Sequence, residues 1–220
     1  NGQDITSMNE EDLYSLRWKE ISLVKQKALN SLNPVMKIGD QLAMPYTQHL
    51  GLDKSKSQVK ARELLDLVGI DQIHFDSFPH ELSGGMRQRV IIAIALALKP
   101  KLVIMDEPTT ALDVVNEHDI IHAIKGLQEQ FGFSIIFITH DLNLLLQLAD
   151  RMYVLLNGEI VDSGSVQDIK SGGSHEYTQK LLDSMPRIKL ESKNHANKTK
   201  VLSLKNVNVS YQLGSWIFPD

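Results

Sequence analysis

The chain has 220 residues, of which 42% are hydrophobic, and this is sufficient for one ordinary globular domain with a sizeable core. It contains no cysteine, which excludes disulfides, thiol catalysis and cysteine-ligated zinc or iron–sulfur sites. The formal net charge of −4 disfavours a nucleic-acid binder, and the longest apolar run, residues 90–98, is too short to span a bilayer.

Helix and strand signals alternate along the first part of the chain. Asn9 is a suitable N-cap for a short helix, because its side chain can accept a hydrogen bond from the first turn. Pro45 is expected to interrupt a helix that starts at Met36, since proline lacks the amide hydrogen that a helix interior needs. The elements predicted before residue 70 are a helix over 9–18, a buried strand over 21–24, a helix from 36 to 41 or beyond, and a helix over 57–68.

The most informative stretch runs from residue 82 to residue 113. Ser83 is a good N-cap and is followed by Gly84 and Gly85, so backbone amides at this helix start could approach an anion closely. The helix that follows is apolar on every side and should be buried. Residues 102–105 form an apolar run of strand length, which is typical of a central parallel strand. Asp106 and Glu107 stand at its carboxyl end, where open α/β sheets bind ligands.

Further elements are predicted after Pro108, which ends this strand. Asp113 can cap a helix whose apolar stripe contains Ile120, Ile124 and Leu127. The later elements are a buried strand over 134–139, a helix over 142–149, and a β-hairpin over 152–161 that turns at Asn157-Gly158. The Gly172-Gly173-Ser174 segment has the composition of a flexible loop.

Two histidines, His118 and His122, lie four residues apart on the helix that follows Asp113. This spacing places both side chains on one helix face and can hold a metal ion. A solvated helix face also accounts for them, because Glu117, Asp119 and Lys125 surround them in the sequence. The solvated face is the preferred interpretation of the sequence.

Four motifs in order resemble those of ATP-binding cassette (ABC) ATPases. Residues 82–88 resemble the signature motif, 102–107 the Walker B strand, 111–113 the D-loop, and 138–141 the switch-histidine motif. Residues 31–39 and 175–182 resemble segments of the oligopeptide, dipeptide and nickel importer branch, although Glu176 stands where proline is usual. The resemblance implies an α/β fold, a P-loop NTPase (RecA-like) cassette core with an inserted helical subdomain at about residues 28–90.

The resemblance also implies roles for individual residues. The residues that would act on ATP and water are Asp106, holding magnesium through water; Glu107, the general base; His140, touching the γ-phosphate; and Gln26, sensing magnesium and the attacking water. The residues that would face ATP held by a partner cassette are Ser83, Gly84, Gly85 and Gln88, with Asp113 coupling the two sites. Lys25, Lys27 and Ala28 depart from the family pattern around Gln26 and leave the geometry of that loop open.

The sequence contains no G-x-x-x-x-G-K-[ST] phosphate cradle, the usual companion of a Walker B strand. We therefore expect a fragment in which residues 1–185 are an ABC domain without its N-terminal, Walker A part. Residues 186–200 are polar and lysine-rich and are expected to be a linker. Residues 201–220 are either the start of a second cassette or a C-terminal strand that completes the first domain.

The implied function is ATP binding and hydrolysis that power an ABC importer of peptides or nickel, with ATP and Mg²⁺ as cofactors. The implied partners are transmembrane permease subunits, a second cassette and, indirectly, an extracytoplasmic substrate-binding protein, but no nucleic acid. The implied location is peripheral, on the cytoplasmic face of the cell membrane. Two alternatives remain open: a non-transport ABC ATPase of DNA repair or translation, and a catalytically inactive interaction module.

Overall fold

The computed structural model describes residues 4–26, 31–109 and 113–185, with no side-chain description for residues 114 and 115. The chain divides at Met185, and every described residue belongs to the first unit, Asn1–Met185. The expected linker and the strand expected over 201–211 lie outside the described residues. None of the helices in the described part combines the length and apolar character that a membrane span requires.

Helices and strands alternate along the described residues. The helices are α1 (Glu10–Leu16), α2 (Ile38–Leu50), α3 (Lys54–Leu67), α4 (Gly84–Leu96), α5 (Val114–Phe131), α6 (Leu142–Leu148), α7 (Val166–Lys170) and α8 (Glu176–Asp183). The strands are β1 (Ile21–Val24), β2 (Leu102–Asp106), β3 (Ser134–Ile138), β4 (Arg151–Leu156) and β5 (Glu159–Ser165). Short 3₁₀ helices at Gln72–Asp76 and Pro79–Glu81 lie within the segment between α3 and α4.

The first three strands form a parallel sheet in the order β1-β2-β3. The register pairs Val24 with Met105, and Met105 with Phe137, so the carboxyl ends of the three strands lie together. β2 is the central strand of this sheet, as the sequence predicts. Parallel strands in this arrangement are joined by crossover helices, here α4 packed on β1 and α5 between β2 and β3.

The two faces of the sheet differ in burial. On the inner face Val24, Val103 and Met105 are at most 1% exposed and belong to the main core. On the outer face the alternate residues stay open, with Leu23 at 52%, Ile136 at 48% and Ile138 at 49% exposure. The prediction that β3 is buried is therefore wrong. The residues of β3 are mostly apolar, as its sequence shows, but no described residue covers the outer face of the strand.

Helices α2, α3 and α4 pack against one another. α3 buries the predicted stripe of Ala61, Leu64, Leu65 and Val68, each at most 5% exposed. α2 runs through Pro45 without a break, so the predicted interruption is wrong. Proline in a helix interior loses one hydrogen bond and costs roughly 3 kcal/mol. The Pro45 ring is less than 2% exposed, and the burial of its apolar surface acts against this cost.

Strands β4 and β5 form the predicted antiparallel hairpin, with Asn157 and Gly158 at positive φ in its turn. A buried carboxylate, Asp162 on β5, fixes the later segment to this hairpin. It accepts hydrogen bonds from the backbone N–H and the hydroxyl of Ser174, at 2.8 and 2.9 Å, and from the Thr178 hydroxyl at 2.8 Å. Residues 172–174 lie in a loop, as expected, and Asp162 fixes Ser174 at its end.

Candidate active site

Three predicted residues meet at the carboxyl ends of the parallel strands. Gln26 follows β1, Glu107 follows β2, and His140 follows β3. The Gln26 Nε2–H donates to Glu107 Oε2 at 2.9 Å, and His140 Nδ1 lies 3.0 Å from Glu107 Oε1. The sheet register accounts for this convergence, because equivalent positions beyond each strand end lie side by side. Each carboxylate oxygen of Glu107 thus has a side-chain partner from a neighbouring strand.

Glu107 is held in an unusual backbone conformation. Its φ of 45° lies in the left-handed region, which is uncommon for a residue with a Cβ atom. Its backbone N–H donates to the Ile138 carbonyl at 2.8 Å, which extends the pairing of β2 with β3 past the last residue of β2. Such strained residues persist only where surrounding contacts fix them, and they are concentrated at functional sites. The carboxylate is consequently rigidly placed.

Glu107 and His140 differ in how much of each side chain is exposed to solvent. The Glu107 side chain is 21% exposed, whereas the His140 side chain is 78% exposed. A mostly enclosed carboxylate interacts strongly with a water molecule placed beside it, because few bulk waters compete. An open imidazole can instead reach a group that arrives from solvent. This arrangement suits general-base chemistry at Glu107 and contact with a ligand at His140.

Asp106 ends β2 directly before Glu107 and is partly exposed. Carboxylate and amide oxygens are the ligands that Mg²⁺ prefers, and Mg²⁺ usually keeps several of its waters. Gln26 uses its nitrogen in the bond to Glu107, which leaves its amide oxygen for a cation. Within the described ranges no group of three or more histidine, aspartate or glutamate side chains could hold a metal alone. Asp106 and Gln26 therefore fit a hydrated magnesium ion bound jointly with a ligand.

A second group of predicted residues lies at the start of α4. Ser83 is the N-cap, as predicted, and its Oγ accepts a hydrogen bond from the Met86 N–H at 3.2 Å. Gly84 and Gly85 occupy the first two helical positions, where backbone N–H groups have no acceptor within the helix. Together with the helix dipole, these amides make the tip suitable for an anion.

Gly85 also connects this tip to α5. A Cβ atom at Gly85 would lie 2.8 Å from the Asn116 side-chain oxygen, closer than real Cβ contacts allow. The Asn116 backbone N–H donates to Asp113 Oδ1 at 2.9 Å, so Asp113 caps α5 as predicted. The Asn116 side chain donates to the same carboxylate. Asn116 thus joins the tip at Ser83, Gly84 and Gly85 to Asp113. This role was not predicted, although the Asp-x-x-Asn spacing is visible in the sequence.

Gln88 does not share this exposed position. Its side chain is 2% exposed on the buried side of α4, and its Nε2 has no hydrogen-bond partner in the described part of the chain. A residue on this helix one turn after the tip points into the core rather than at the surface. Direct contact between Gln88 and a nucleotide stays a prediction, and the burial of the side chain argues against it.

Comparison with known proteins identifies the family of this chain. Residues 1–110, half of the sequence, match the family described as ABC transporter. The chain belongs to the ABC transporter family. A solved structure of a dimeric ATP-binding cassette, MJ0796, in a post-hydrolysis state bound to ADP and Pi, is similar to it with a TM-score of 0.66 and 26% identity. That similarity covers 76% of this chain and 71% of the other, which confirms the expected cassette fold.

Peptide-transport proteins are among the relatives of this ABC chain. The oligopeptide transport ATP-binding protein OppD of Bacillus subtilis is 46% identical, over 85% of this chain and 53% of the relative. The dipeptide transport ATP-binding protein DppD of Lactococcus lactis is 44% identical, over 85% of this chain and 54% of the relative. The chain spans about half the length of the curated relatives it matches.

Proposed function

We propose that this chain is part of an ATP-hydrolysing subunit that powers an ABC importer of peptides. The observation that carries the proposal is the Glu107 carboxylate, fixed between Gln26 and His140 at the end of a Walker B strand. The names of the relatives supply the peptide as substrate and favour it over nickel. The proposed partners of this subunit are permease subunits and a second cassette. The proposed location is the cytoplasmic face of the membrane.

The reaction proposed for this site is phosphoryl transfer to water, in which the protein positions the reactants and stabilises charge rather than forming a covalent bond. Glu107 orients a water molecule toward the γ-phosphate and accepts its proton. Gln26 fixes one carboxylate oxygen, and this prevents the carboxylate from rotating away from the water. Asp106 and the Gln26 amide oxygen would hold Mg²⁺, which when bound neutralises charge on the phosphates.

His140 has two nitrogens with different tasks in this proposal. A carboxylate only accepts hydrogen bonds, so the contact with Glu107 places the hydrogen on Nδ1. A phosphate oxygen is also an acceptor, so a contact with it needs a second hydrogen on Nε2. Contact with both acceptors at once would therefore require a hydrogen on each ring nitrogen.

The signature tip acts on a different nucleotide in this proposal. Ser83, Gly84 and Gly85 cap ATP held by a partner cassette, and the solved relative is itself a dimer bound to ADP and Pi. Asn116 connects this tip to Asp113, so closure of one site is transmitted to the start of α5. Gln88 is buried one turn after the tip, so this proposal assigns it no direct contact with the nucleotide.

The proposal is tested with the complete subunit encoded by the gene, reconstituted with its permease partners in vesicles that are supplied with the extracytoplasmic substrate-binding protein. We expect ATP hydrolysis and uptake of a labelled oligopeptide that depend on each other, and no uptake of nickel. A preparation that hydrolyses ATP but moves no peptide would contradict the substrate class. A complete subunit that binds ATP without hydrolysing it would contradict the enzymatic role and favour the inactive-module alternative.

A further inference from the structure

Two histidine rings face each other on the solvent side of α5. His118 and His122 are both exposed, whereas Ile120 and Ile124, which belong to the buried stripe of the same helix, are each 1% exposed. The two Nε2 atoms lie 3.1 Å apart, and the ring centroids are 4.3 Å apart with the planes tilted by 60°. Spacing along the helix permits this approach, but it does not require the two nitrogens to point at one place.

The distance between these nitrogens is that of two ligands on one metal ion. With metal–nitrogen bonds of about 2.05 Å, two ligands at a right angle lie about 2.9 Å apart and two at the tetrahedral angle about 3.3 Å apart. The observed 3.1 Å falls between those limits. Without a metal, a hydrogen bond over the same distance needs one Nε2 as the donor and the other as the acceptor.

We propose that His118 and His122 form a two-histidine site for a divalent transition metal such as Zn²⁺, Ni²⁺ or Cu²⁺. Neutral imidazole suits these ions and not magnesium, which prefers oxygen ligands. The remaining positions on the metal belong to water or to a second molecule, because the described residues offer no cluster of three protein ligands. The site is separate from the Asp106 and Gln26 positions proposed for magnesium.

The placement of the pair gives the metal an effect on α5. The two ligands are one turn apart, so a bound ion cross-links residues 118 and 122 within the helix that starts directly after Asp113. Such a cross-link opposes fraying of that turn, because a ligand that binds only the folded helix shifts the equilibrium toward it. Metal binding is therefore expected to protect the amides of α5 near these residues from hydrogen exchange.

The test uses the full chain without a histidine tag and Cu²⁺ as the probe, since Cu²⁺ binds such sites most tightly among these metals. We expect one dominant site by calorimetry and an electron paramagnetic resonance spectrum with two coupled nitrogens. His118→Ala and His122→Ala should each lower the apparent affinity on the order of tenfold or more, because each removes the chelate. A matched control is the double variant His74→Ala/His80→Ala, which also removes two of the eight histidines but should change neither readout.

The outcomes separate the proposal from its alternative. Loss of the two-nitrogen signal in His118→Ala and in His122→Ala, with the control unchanged, supports the site. Equal Cu²⁺ affinity in the wild type and in His118→Ala/His122→Ala would overturn it and leave only a hydrogen bond between the two rings. Circular dichroism verifies that the variants fold, and His118→Gln/His122→Gln provides a second pair that keeps a polar surface.

Discussion

Glu107→Gln in the complete subunit with its partners is expected to leave ATP binding intact and to slow hydrolysis strongly. The substitution keeps the shape of the side chain but replaces one oxygen with an amide nitrogen. In the structure Oε2 accepts from Gln26 at 2.9 Å, and Oε1 lies 3.0 Å from His140 Nδ1. A glutamine amide has one acceptor atom, so it can keep only one of these two contacts without rearrangement.

The size of the effect distinguishes base catalysis from mere positioning. Loss of a hydrogen bond to a charged group costs about 1.5–3 kcal/mol, which corresponds to a rate decrease of roughly 10- to 100-fold. Loss of a general base costs roughly 10²- to 10⁴-fold, or about 3–5 kcal/mol of barrier. We therefore expect hydrolysis by Glu107→Gln to fall by more than about 100-fold if Glu107 is the base.

The assay compares single-turnover hydrolysis with equilibrium ATP binding in the same preparations. Glu129→Gln is the matched control, because it makes the same chemical change at an exposed position near the end of α5. The control should hydrolyse ATP like the wild type. Turnover of Glu107→Gln within about tenfold of the wild type would refute the assignment of Glu107 as the base, because loss of a general base slows hydrolysis by more than that.

Three other predictions address the isolated chain and its stability. The 220-residue chain alone should neither bind ATP tightly nor hydrolyse it, because its sequence lacks the lysine-containing phosphate cradle; micromolar binding by calorimetry together with phosphate release would contradict this. Gly39→Ala should lower the free energy of unfolding in urea by about 1–3 kcal/mol, because the new Cβ would lie 2.3–2.6 Å from atoms of the buried Phe75 ring. The control Gly126→Ala, whose new Cβ would meet no described atom within 4 Å apart from its chain neighbours and the backbone of its own helix, should instead stabilise α5, and equal effects would reject the packing argument. Hydrogen bonds from the Thr178 hydroxyl and the His175 N–H lower the pKa of Asp162 below its ordinary 3.8, so its contribution to stability is complete above that pH and is lost as pH falls below it. Asp162→Asn should therefore unfold more easily at neutral pH and show a weaker loss of stability in acid, and an unchanged acid profile in urea titrations would contradict this.

The sequence predicted well the features that depend on neighbouring residues. Asn9, Ser83 and Asp113 cap helices as expected, because an N-cap needs only an amide two or three residues later. Residues 102–105 were predicted as the central strand, because a continuous apolar run of strand length is typical of a parallel strand that is buried on both faces. The convergence of Gln26, Glu107 and His140 was expected only from the family resemblance, and the structure brings these three side chains together.

Features that depend on distant residues could not be predicted. The polar partners of Asp162 come 12 to 16 residues later, and nothing in the local sequence points to them. Pro45 stays within α2 because tertiary packing buries its ring, an effect that local propensity does not contain. The contact of Gly85 with Asn116 joins α4 and α5, which precede and follow β2 in the chain. In each case the local sequence does not contain the information needed, namely which segments pack against each other in the folded chain.

The open outer face of the sheet has a consequence for handling this chain. Leu23 on β1 and Ile136 and Ile138 on β3 present apolar surface to solvent on the same face of the sheet. In the described part of the chain β3 pairs only with β2, so its other edge also carries backbone groups ready to pair. Aggregation often begins at a flat apolar face next to an unpaired edge. Purified alone, the chain is expected to self-associate as its concentration rises, and Ile136→Lys should raise its solubility.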